Sequence, residues 1–202
     1  MNLVVFGATG GTGRLVVEQA LAAGHTVTAF VRSPQKLANT NPNLRVVVGA
    51  ATDAAAISRA LVGADAVIST LGGTGSVIAD STKAIIEASR EAGVRRVLVL
   101  SSFVVERNSL KPVSRLLTGL GMSSMIKDKT AGEQLRRQSD LDWTIVYASV
   151  LKDGPASGSV AVVDDGARRG LSQRIARADV AAWMVEAAGS GQYSRRTVGI
   201  TG

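Results

Sequence analysis

The sequence contains no cysteine and only one histidine, His25, among its 202 residues. The lack of cysteine excludes thiolate zinc sites, iron–sulfur clusters and disulfides, and a single histidine leaves little for a histidine metal site or a Ser-His-Asp triad. We therefore expect no metal. No apolar run approaches the ~18 residues that span a bilayer, and the first run is too short for a signal peptide, so we expect a cytoplasmic protein with no membrane partner.

Aromatic and acidic residues are also scarce. Aromatic residues make up 3% of the chain, and 16 Asp and Glu stand against 23 Lys and Arg, which gives a net charge of +7. The basic residues form scattered pairs, such as Arg95-Arg96 and Arg195-Arg196, and few rings are available to stack on bases, so nucleic-acid binding is not expected. A hydrophobic content of 46% at this length fits a single domain with one core.

Short apolar runs alternate with segments of helical periodicity along the whole chain. The apolar runs predict strands at 3–6, 26–31, 44–48, 66–70, 97–100, 143–146, 159–163 and 197–201. Helical spacing predicts helices at 14–23, 53–61, 80–92, 127–138 and 179–188, with Asp53 and Asp179 as N-caps. This alternation predicts a Rossmann-type α/β fold, a doubly wound parallel sheet with helices on both faces, in the order 3-2-1-4-5-6 with one late strand added. Residues 103–124 fit a loop with one short helix, which we expect to shape the substrate pocket.

A glycine-rich segment, Gly7-Ala8-Thr9-Gly10-Gly11-Thr12-Gly13, joins the first predicted strand to the first helix. Glycines at such a junction let the backbone approach a pyrophosphate closely and aim the N–H groups of the helix N-terminus at the anion. The spacing is Gly-x-x-Gly-x-x-Gly, and its place in a βαβ unit favours a dinucleotide site. The alternative is a tight strand-to-helix turn that binds no ligand.

The end of the second predicted strand indicates which dinucleotide is bound. An acidic residue there binds the ribose 2′-hydroxyl of NAD, whereas an arginine suits the 2′-phosphate of NADP. This chain has Arg32 at that position and no carboxylate between Gly24 and Pro42. A guanidinium presents a bidentate fork to phosphate, so the sequence predicts NADP(H). The alternative is that Arg32 is a solvated charge at a strand end.

Three segments carry a family resemblance: residues 4–13, Val31-Arg32-Ser33-Pro34 and Leu98-Val99-Leu100-Ser101-Ser102. They resemble the atypical short-chain dehydrogenase/reductases, and within these the NAD(P)H-binding group that contains biliverdin IXβ reductase/flavin reductase and the NmrA-like proteins. The resemblance covers nearly the whole chain. It implies a single NAD(P)-binding Rossmann domain over 1–202, whose C-terminal elements, from about 147 to 202, cover the substrate.

The resemblance also implies roles for particular residues. Those placed on the pyrophosphate and its loop are Gly7, Thr9, Gly10, Gly11, Thr12 and Gly13, and those placed on the 2′-phosphate are Arg32 and Lys36. Family members usually carry an adenine-binding Asp after the third strand, but this chain has Gly49-Ala50-Ala51, so only backbone contact from Ala50 and Ala51 is implied. The residues placed beside the adenosine ribose are Leu71, Gly72 and Gly73, and those beside the nicotinamide are Ser101, Ser102, Tyr147, Ala148 and Ser149. Ser149 replaces a histidine of the flavin reductase.

Most short-chain dehydrogenases use a Tyr-x-x-x-Lys pair to move the carbonyl proton. The two tyrosines here, Tyr147 and Tyr193, are followed four positions later by Leu151 and Thr197, so the pair is absent. Ordinary alcohol–ketone interconversion therefore lacks its acid. A flavin or quinone needs mainly the positioning of two rings, because its proton can come from solvent.

Two residues are candidates for a catalytic role. Ser102 is placed to donate a hydrogen bond to the acceptor or the nicotinamide, and Lys129 to neutralise an acidic group of the substrate. The plainer interpretations are a strand-end hydroxyl bonded to backbone and a solvated helix start. Trp143 fits core packing, and Tyr147 fits a position near a ring.

The sequence thus favours an NADP(H)-dependent reductase that transfers hydride to a flavin, a quinone or a similar conjugated small molecule. A non-catalytic, NADP-binding, NmrA-like redox sensor that acts through a partner is the alternative. Both fit the missing Tyr-x-x-x-Lys pair.

Overall fold

The computed structural model describes residues 1–37, 40–72, 76–105, 110, 123–163 and 172–202. The strands within these ranges are β1 (Asn2–Phe6), β2 (Thr26–Val31), β3 (Leu44–Val48), β4 (Ala66–Ser69), β5 (Arg96–Ser102), β6 (Asp142–Ala148), β7 (Val150–Lys152), β8 (Ala161–Val163), β9 (Arg174–Ala176) and β10 (Arg196–Thr201). The α-helices are α1 (Gly11–Ala22), α2 (Ala54–Leu61), α3 (Val77–Glu91), α4 (Ser123–Arg137) and α5 (Arg177–Ser190), and short 3-10 turns lie at Pro34–Lys36 and Phe103–Val105.

Eight of these strands form one sheet in the order β3-β2-β1-β4-β5-β6-β10-β8. Every pairing from β3 to β10 is parallel, and β8 adds to β10 in the antiparallel direction at the edge. The predicted order 3-2-1-4-5-6 is confirmed, and two strands, β10 and β8, follow β6 where one late strand was predicted. The order in which successive strands are added to the sheet reverses between β1 and β4, and α/β proteins of this type bind ligands at such a point.

The two faces of the sheet bury two separate apolar clusters. Alternate residues of β1 divide between them: Leu3 and Val5 face the cluster covered by α1 and α5, and Val4 and Phe6 face the cluster covered by α2 and α3. This division follows from the two-residue period of a strand. Helices on both faces, as predicted, leave the carboxyl ends of the strands as the open edge where a ligand can enter.

One of the two predicted helix caps is confirmed. Asp53 precedes α2, and its carboxylate accepts the N–H of Ala56 at 3.0 Å. The prediction that Asp179 caps the last helix is wrong, because α5 begins two residues earlier, with Ala176 at its N-cap. The reason is β9, which the apolar pattern did not indicate and which delivers the chain directly into the helix. Asp179 instead accepts the backbone N–H groups of Ser157 at 2.9 Å and Gly158 at 3.0 Å, and so holds that loop.

The second sheet is small and was not predicted. It pairs β7 with β9 in parallel, at the register Val150↔Arg174, Leu151↔Ile175 and Lys152↔Ala176. Strands of three residues are too short to show a period of two in sequence. Of the predicted loop at 103–124, the structure describes only the turn Phe103–Val105, residue 110 and the start of α4. Among the described helices, none combines the length and apolar character needed to cross a membrane.

Candidate functional site

The glycine segment forms a tight connection between β1 and α1. Gly7 has a φ of +79°, a conformation that favours glycine, and its carbonyl accepts the N–H of Gly10 at 2.9 Å. A Cβ on Gly13 would lie 2.1 Å from the Gly7 oxygen, so α1 can pack onto the loop only without a side chain there. No side chain caps α1, and its first turn contains no acidic residue. The free N–H groups of this helix end therefore face the carboxyl edge of the sheet and suit an anion.

Two hollows meet at this loop. The larger, which we name the inner cavity, has a volume of about 510 Å³, and the smaller, the outer groove, about 180 Å³. They share the lining residues Gly10, Thr70, Leu71 and Gly72. The loop thus lies between two adjoining spaces, an arrangement that fits a dinucleotide whose pyrophosphate bridges two different nucleoside halves.

The outer groove lies at the ends of β2 and β3. Arg32 lines it and is exposed, and Gly7, Thr9, Gly49 and Ala51 line it as well. A Cβ on Gly49 would lie 2.5 Å from the Cβ of Ala56, so the close approach of α2 requires glycine there. None of the described residues that line the groove carries a carboxylate.

The inner cavity lies at the carboxyl ends of β4, β5 and β6. Its polar and charged lining residues include Ser101, Ser102, Ser149, Lys129 and Arg177. Its apolar lining comes from Leu71, Leu100, Phe103, Val104, Ala148, Val150 and Leu151. The hydroxyl of Ser149 donates at 3.0 Å to Thr201 of β10, so this serine is tied to the sheet. The cavity is a mainly apolar space with a few polar groups, as ligand sites commonly are.

A buried polar network lies behind Ser101. The Glu133 carboxylate, 6% exposed, accepts the Ser101 hydroxyl at 2.6 Å on one oxygen and the Tyr147 hydroxyl at 2.5 Å on the other. Burial and the neighbouring carboxylate raise the pKa of Tyr147, so its phenol stays protonated as a donor. Ser101 therefore connects the cavity wall to a carboxylate on α4.

Lys129 is half-buried, unlike its exposed neighbour Lys127. Burial lowers the pKa of Lys129, while Glu133 and Asp128 act in the opposite direction. Asp128 itself accepts the N–H groups of Ile78 and Ala79, each at 2.9 Å, and so caps α3. Lys129 is thus a half-buried residue of the cavity wall, within α4 and beyond its first turn.

The structure brings most of the residues named from the sequence to the two hollows. They are Gly7, Thr9, Gly10, Gly11, Thr12, Gly13, Arg32, Ala51, Leu71, Gly72, Ser101, Ser102, Lys129, Ala148 and Ser149. Lys36 and Ala50 are exposed and do not belong to the described lining, and Gly73 lies outside the described residues. Ser101 and Ser102 belong to β5 itself, which extends two residues beyond the predicted strand.

Tyr147 is not among the described residues that line the inner cavity. Successive residues of β6 face opposite sides of the sheet, so Ala148 joins the cluster under α1 and α5, whereas Tyr147 packs with Phe103 and Trp143. The expected core role of Trp143 agrees with this cluster. The expected position of the Tyr147 ring near the nicotinamide stays a prediction, since the ring lies outside the described lining of the cavity.

Sequence reasoning missed Glu133 and Arg177 as members of the site. Glu133 meets Ser101 and Tyr147 only because α4 crosses the sheet, a contact that no local pattern shows. Arg177 reaches the glycine loop from the start of α5, where a Cβ on Gly11 would lie 3.1 Å from its Nε. The only sequence signal for Arg177 would have been its position directly after a strand, and that strand was not recognised.

A glycine loop at the switch point of a doubly wound sheet, with an uncapped helix N-terminus, defines a dinucleotide-binding Rossmann protein. The chain matches the family described as NAD(P)H-binding over residues 7–190 and belongs to that family. The expected family is therefore confirmed.

Relatives and solved structures agree with this assignment. The chain is 29% identical over 169 residues, 84% of its length, to the (4-alkanoyl-5-oxo-2,5-dihydrofuran-3-yl)methyl phosphate reductase of Streptomyces griseus. The chain spans 55% of the length of that reductase. Across three curated relatives, including this reductase, it spans between 44% and 62% of their length. A short-chain dehydrogenase/reductase from Veillonella parvula in complex with NADP has a TM-score of 0.84 at 17% identity, covering 98% of this chain and 93% of the other. ChuY, an anaerobillin reductase from Escherichia coli O157:H7, has a TM-score of 0.82 at 23% identity, covering 99% and 96%. These structures show the shared fold.

Proposed function

We propose that the protein is an NADP(H)-dependent reductase that transfers hydride to a flavin, a quinone or a similar conjugated small molecule. The observation that carries this proposal is the continuity of three features: the outer groove with Arg32, the uncapped start of α1, and the inner cavity. The outer groove suits the half of the cofactor that carries the 2′-phosphate, the start of α1 suits the pyrophosphate, and the inner cavity suits the nicotinamide half. The three parts follow one another in this order along the cofactor.

The donor set fits the cofactor. The N-terminus of α1 offers N–H groups and a positive dipole end to a pyrophosphate. Arg32 adds an exposed guanidinium to the lining of the outer groove, where a ribose 2′-phosphate would lie. A carboxylate that would repel this phosphate is absent from the described lining of the groove. This charge arrangement favours NADP(H) over NAD(H).

The bound dinucleotide would supply the hydride, and the protein's own residues would position the acceptor. The apolar wall from Leu71, Leu100 and Phe103 provides a surface for a flat ring. Ser102, half-buried at the end of β5, can donate a hydrogen bond into the cavity. Lys129 brings an amino group to the lining of the same space, which suits an acidic group or a developing negative charge on the acceptor.

This lining supports an acceptor whose reduction mainly requires positioning. The described tyrosines do not line the cavity, and Tyr147 is engaged with Glu133. A conjugated acceptor can take up hydride and receive its proton from solvent, so it does not need a phenol acid. The Streptomyces relative, named as a reductase of an oxo-dihydrofuran phosphate, supports reductase chemistry for a relative of this kind. We place the protein in the cytoplasm, with a small molecule as its partner.

Steady-state oxidation of NADPH and NADH with FMN, riboflavin and a panel of quinones tests this proposal. We expect turnover with NADPH, and we expect Arg32→Ala to raise KM for NADPH by about tenfold or more, because a charge-assisted phosphate contact contributes roughly 1.5–3 kcal/mol. KM for NADH should change little. Arg59→Ala removes an equal charge from the last turn of α2 and serves as the matched control.

Two results would contradict the proposal. An unchanged preference for NADPH in Arg32→Ala would remove the role of this arginine. Tight NADPH binding with no turnover across the panel would replace the reductase with an NADP-binding redox sensor.

A further inference from the structure

The small ladder of β7 and β9 places two opposite charges side by side at the rim of the inner cavity. Its last pair is Lys152↔Ala176, so the next residue of each chain segment, Asp153 and Arg177, emerges at the same end of the ladder. The guanidinium of Arg177 donates to the Asp153 carboxylate at 2.9 Å. The ladder thus fixes where this ion pair stands.

The ion pair stands against the glycine loop. A Cβ built on Gly11 would lie 3.1 Å from Nε and 3.2 Å from Cδ of Arg177, so the guanidinium stem rests on the first residue of α1. Arg177 and Gly11 both line the inner cavity. A cation is therefore held at the uncapped N-terminus of α1, beside the free N–H groups of that helix end.

The position of Arg177 is not explained by its contribution to stability. It is the first residue of α5, where the positive end of the helix dipole disfavours a cation. Its partner Asp153 has a side chain that is 91% exposed, and ion pairs of such exposure contribute little to stability. The Arg177 guanidinium is thus held only weakly by Asp153, at the rim of a site that suits an anion. It is therefore well placed to leave the carboxylate and bind an anionic ligand instead.

We propose that Arg177 binds the pyrophosphate of the dinucleotide together with the α1 N–H groups, and that Asp153 is the counter-ion with which the pyrophosphate competes. This inference rests on the dinucleotide binding of the proposed function. Arg177 is a binding residue that contacts the phosphates, and Asp153 lowers cofactor affinity by occupying it. The pair would thereby tune the cofactor's residence at the loop independently of Arg32, which serves the other end.

Calorimetric dissociation constants for NADP⁺ and for adenosine 2′-monophosphate test this proposal. The second ligand carries the 2′-phosphate but has no phosphate to place at the glycine loop. We expect Arg177→Ala to raise the Kd for NADP⁺ by about tenfold or more, and Asp153→Asn to lower it by about two- to fivefold. The Kd for adenosine 2′-monophosphate should stay unchanged in both variants.

Further variants keep the test independent of folding. Arg177→Lys retains the charge without the planar fork and should weaken NADP⁺ binding by less than Arg177→Ala. In the Arg177→Ala background, Asp153→Asn should lower the Kd for NADP⁺ by a smaller factor than it does in the wild type. Arg59→Ala, at a residue that lines neither hollow, controls for the loss of one positive charge.

The outcomes are distinguishable from those of the proposed function. NADP⁺ binding that is equal in wild type, Arg177→Ala and Asp153→Asn would overturn this inference and leave the NADP assignment intact. Equal weakening of both ligands by Arg177→Ala would also overturn it, because the effect would not be local to the pyrophosphate. A wild-type protein that binds neither ligand would overturn the proposed function and this inference together.

Discussion

The outer groove and the inner cavity, which together form the candidate dinucleotide site, are built in different ways. The outer groove presents one exposed guanidinium, that of Arg32, among lining residues that are mostly small or apolar. The inner cavity is backed by a buried network in which Ser101 and Tyr147 share the carboxylate of Glu133, and Lys129 stands half-buried beside it. Recognition of the outer half can thus rest on a single solvated charge, whereas the inner half rests on groups that are fixed by folding.

This difference has a practical meaning for substitutions. An exposed charge can be removed with little effect on the fold, because it makes few buried contacts. A member of a buried hydrogen-bonded network cannot be removed in this way, because its partners then lack a hydrogen bond in a buried environment. Specificity for the cofactor should therefore change easily through the outer groove, while the inner cavity should resist change. Three substitutions probe this comparison.

The largest effect on stability and binding is expected for Gly13→Ala, which should disturb the outer groove and the inner cavity alike. Its Cβ would lie 2.1 Å from the Gly7 carbonyl oxygen, so α1 has to move away from the loop that both hollows share. We expect a loss of about 3 kcal/mol in the free energy of unfolding and loss of both NADP⁺ and adenosine 2′-monophosphate binding. Chemical denaturation and calorimetry measure these two quantities.

Gly189→Ala provides the control for that substitution. Gly189 lies in the last turn of α5, and the nearest atom to a Cβ there is the flexible Met1 sulfur at 3.3 Å. This change should leave binding intact and alter stability by about 1 kcal/mol or less. Retained binding in Gly13→Ala would show that the loop tolerates displacement.

An effect of intermediate size is expected for a substitution of Glu133, and it should be confined to the inner cavity. In Glu133→Gln only one terminal atom of the side chain remains an acceptor, so the Ser101 and Tyr147 hydroxyls no longer both have a carboxylate oxygen. We expect a loss of about 1–3 kcal/mol in the free energy of unfolding, with the Kd for adenosine 2′-monophosphate unchanged. Tyr147→Phe, which removes one donor and keeps the carboxylate, should cost less. A fall in affinity for adenosine 2′-monophosphate would show that the two ends are coupled.

The smallest effect concerns the charge of Lys129 and depends on pH. Burial lowers the pKa of Lys129 below the ordinary lysine value of 10.5, so between the two values the unfolded chain binds more protons than the folded one. The stability of the wild type relative to Lys129→Met should therefore rise with pH as 10.5 is approached, by about 1 kcal/mol or less. Lys127→Met, two residues away and exposed, is the matched control. Parallel pH profiles for Lys129→Met and Lys127→Met would contradict a burial effect at Lys129.

The glycine loop and the position of Arg32 at the outer groove could be predicted from the sequence because their determinants are local, whereas Lys36 and Ala50 do not belong to the described lining. The loop from Gly7 to Gly13 and Arg32 belong to one βαβ unit, and the backbone conformation and charge of such a unit follow from residues close in the chain. The order of the strands was also predictable, since alternating strands and helices permit few topologies.

The inner half depends on residues that are distant in sequence. Glu133 lies 32 residues from Ser101 and 14 from Tyr147, and Asp153 lies 24 from Arg177. These contacts arise from the crossing of α4 and from the β7–β9 ladder, whose strands are too short to recognise by periodicity. The error at Asp179 has the same origin, because the strand before it determines where the helix begins.

The position of β3 at one end of the sheet has a consequence for the behaviour of the protein in concentrated solution. Among the described residues this strand has a neighbouring strand on one side only, and its Val46 and Val48 are 40% and 52% exposed. An edge strand with exposed valines is a template on which another extended chain can add. Arg45, anchored at 2.9 Å to the Arg59 carbonyl, places a positive charge along this edge. Self-association through β3 should therefore be opposed by charge repulsion, and high salt should weaken that protection.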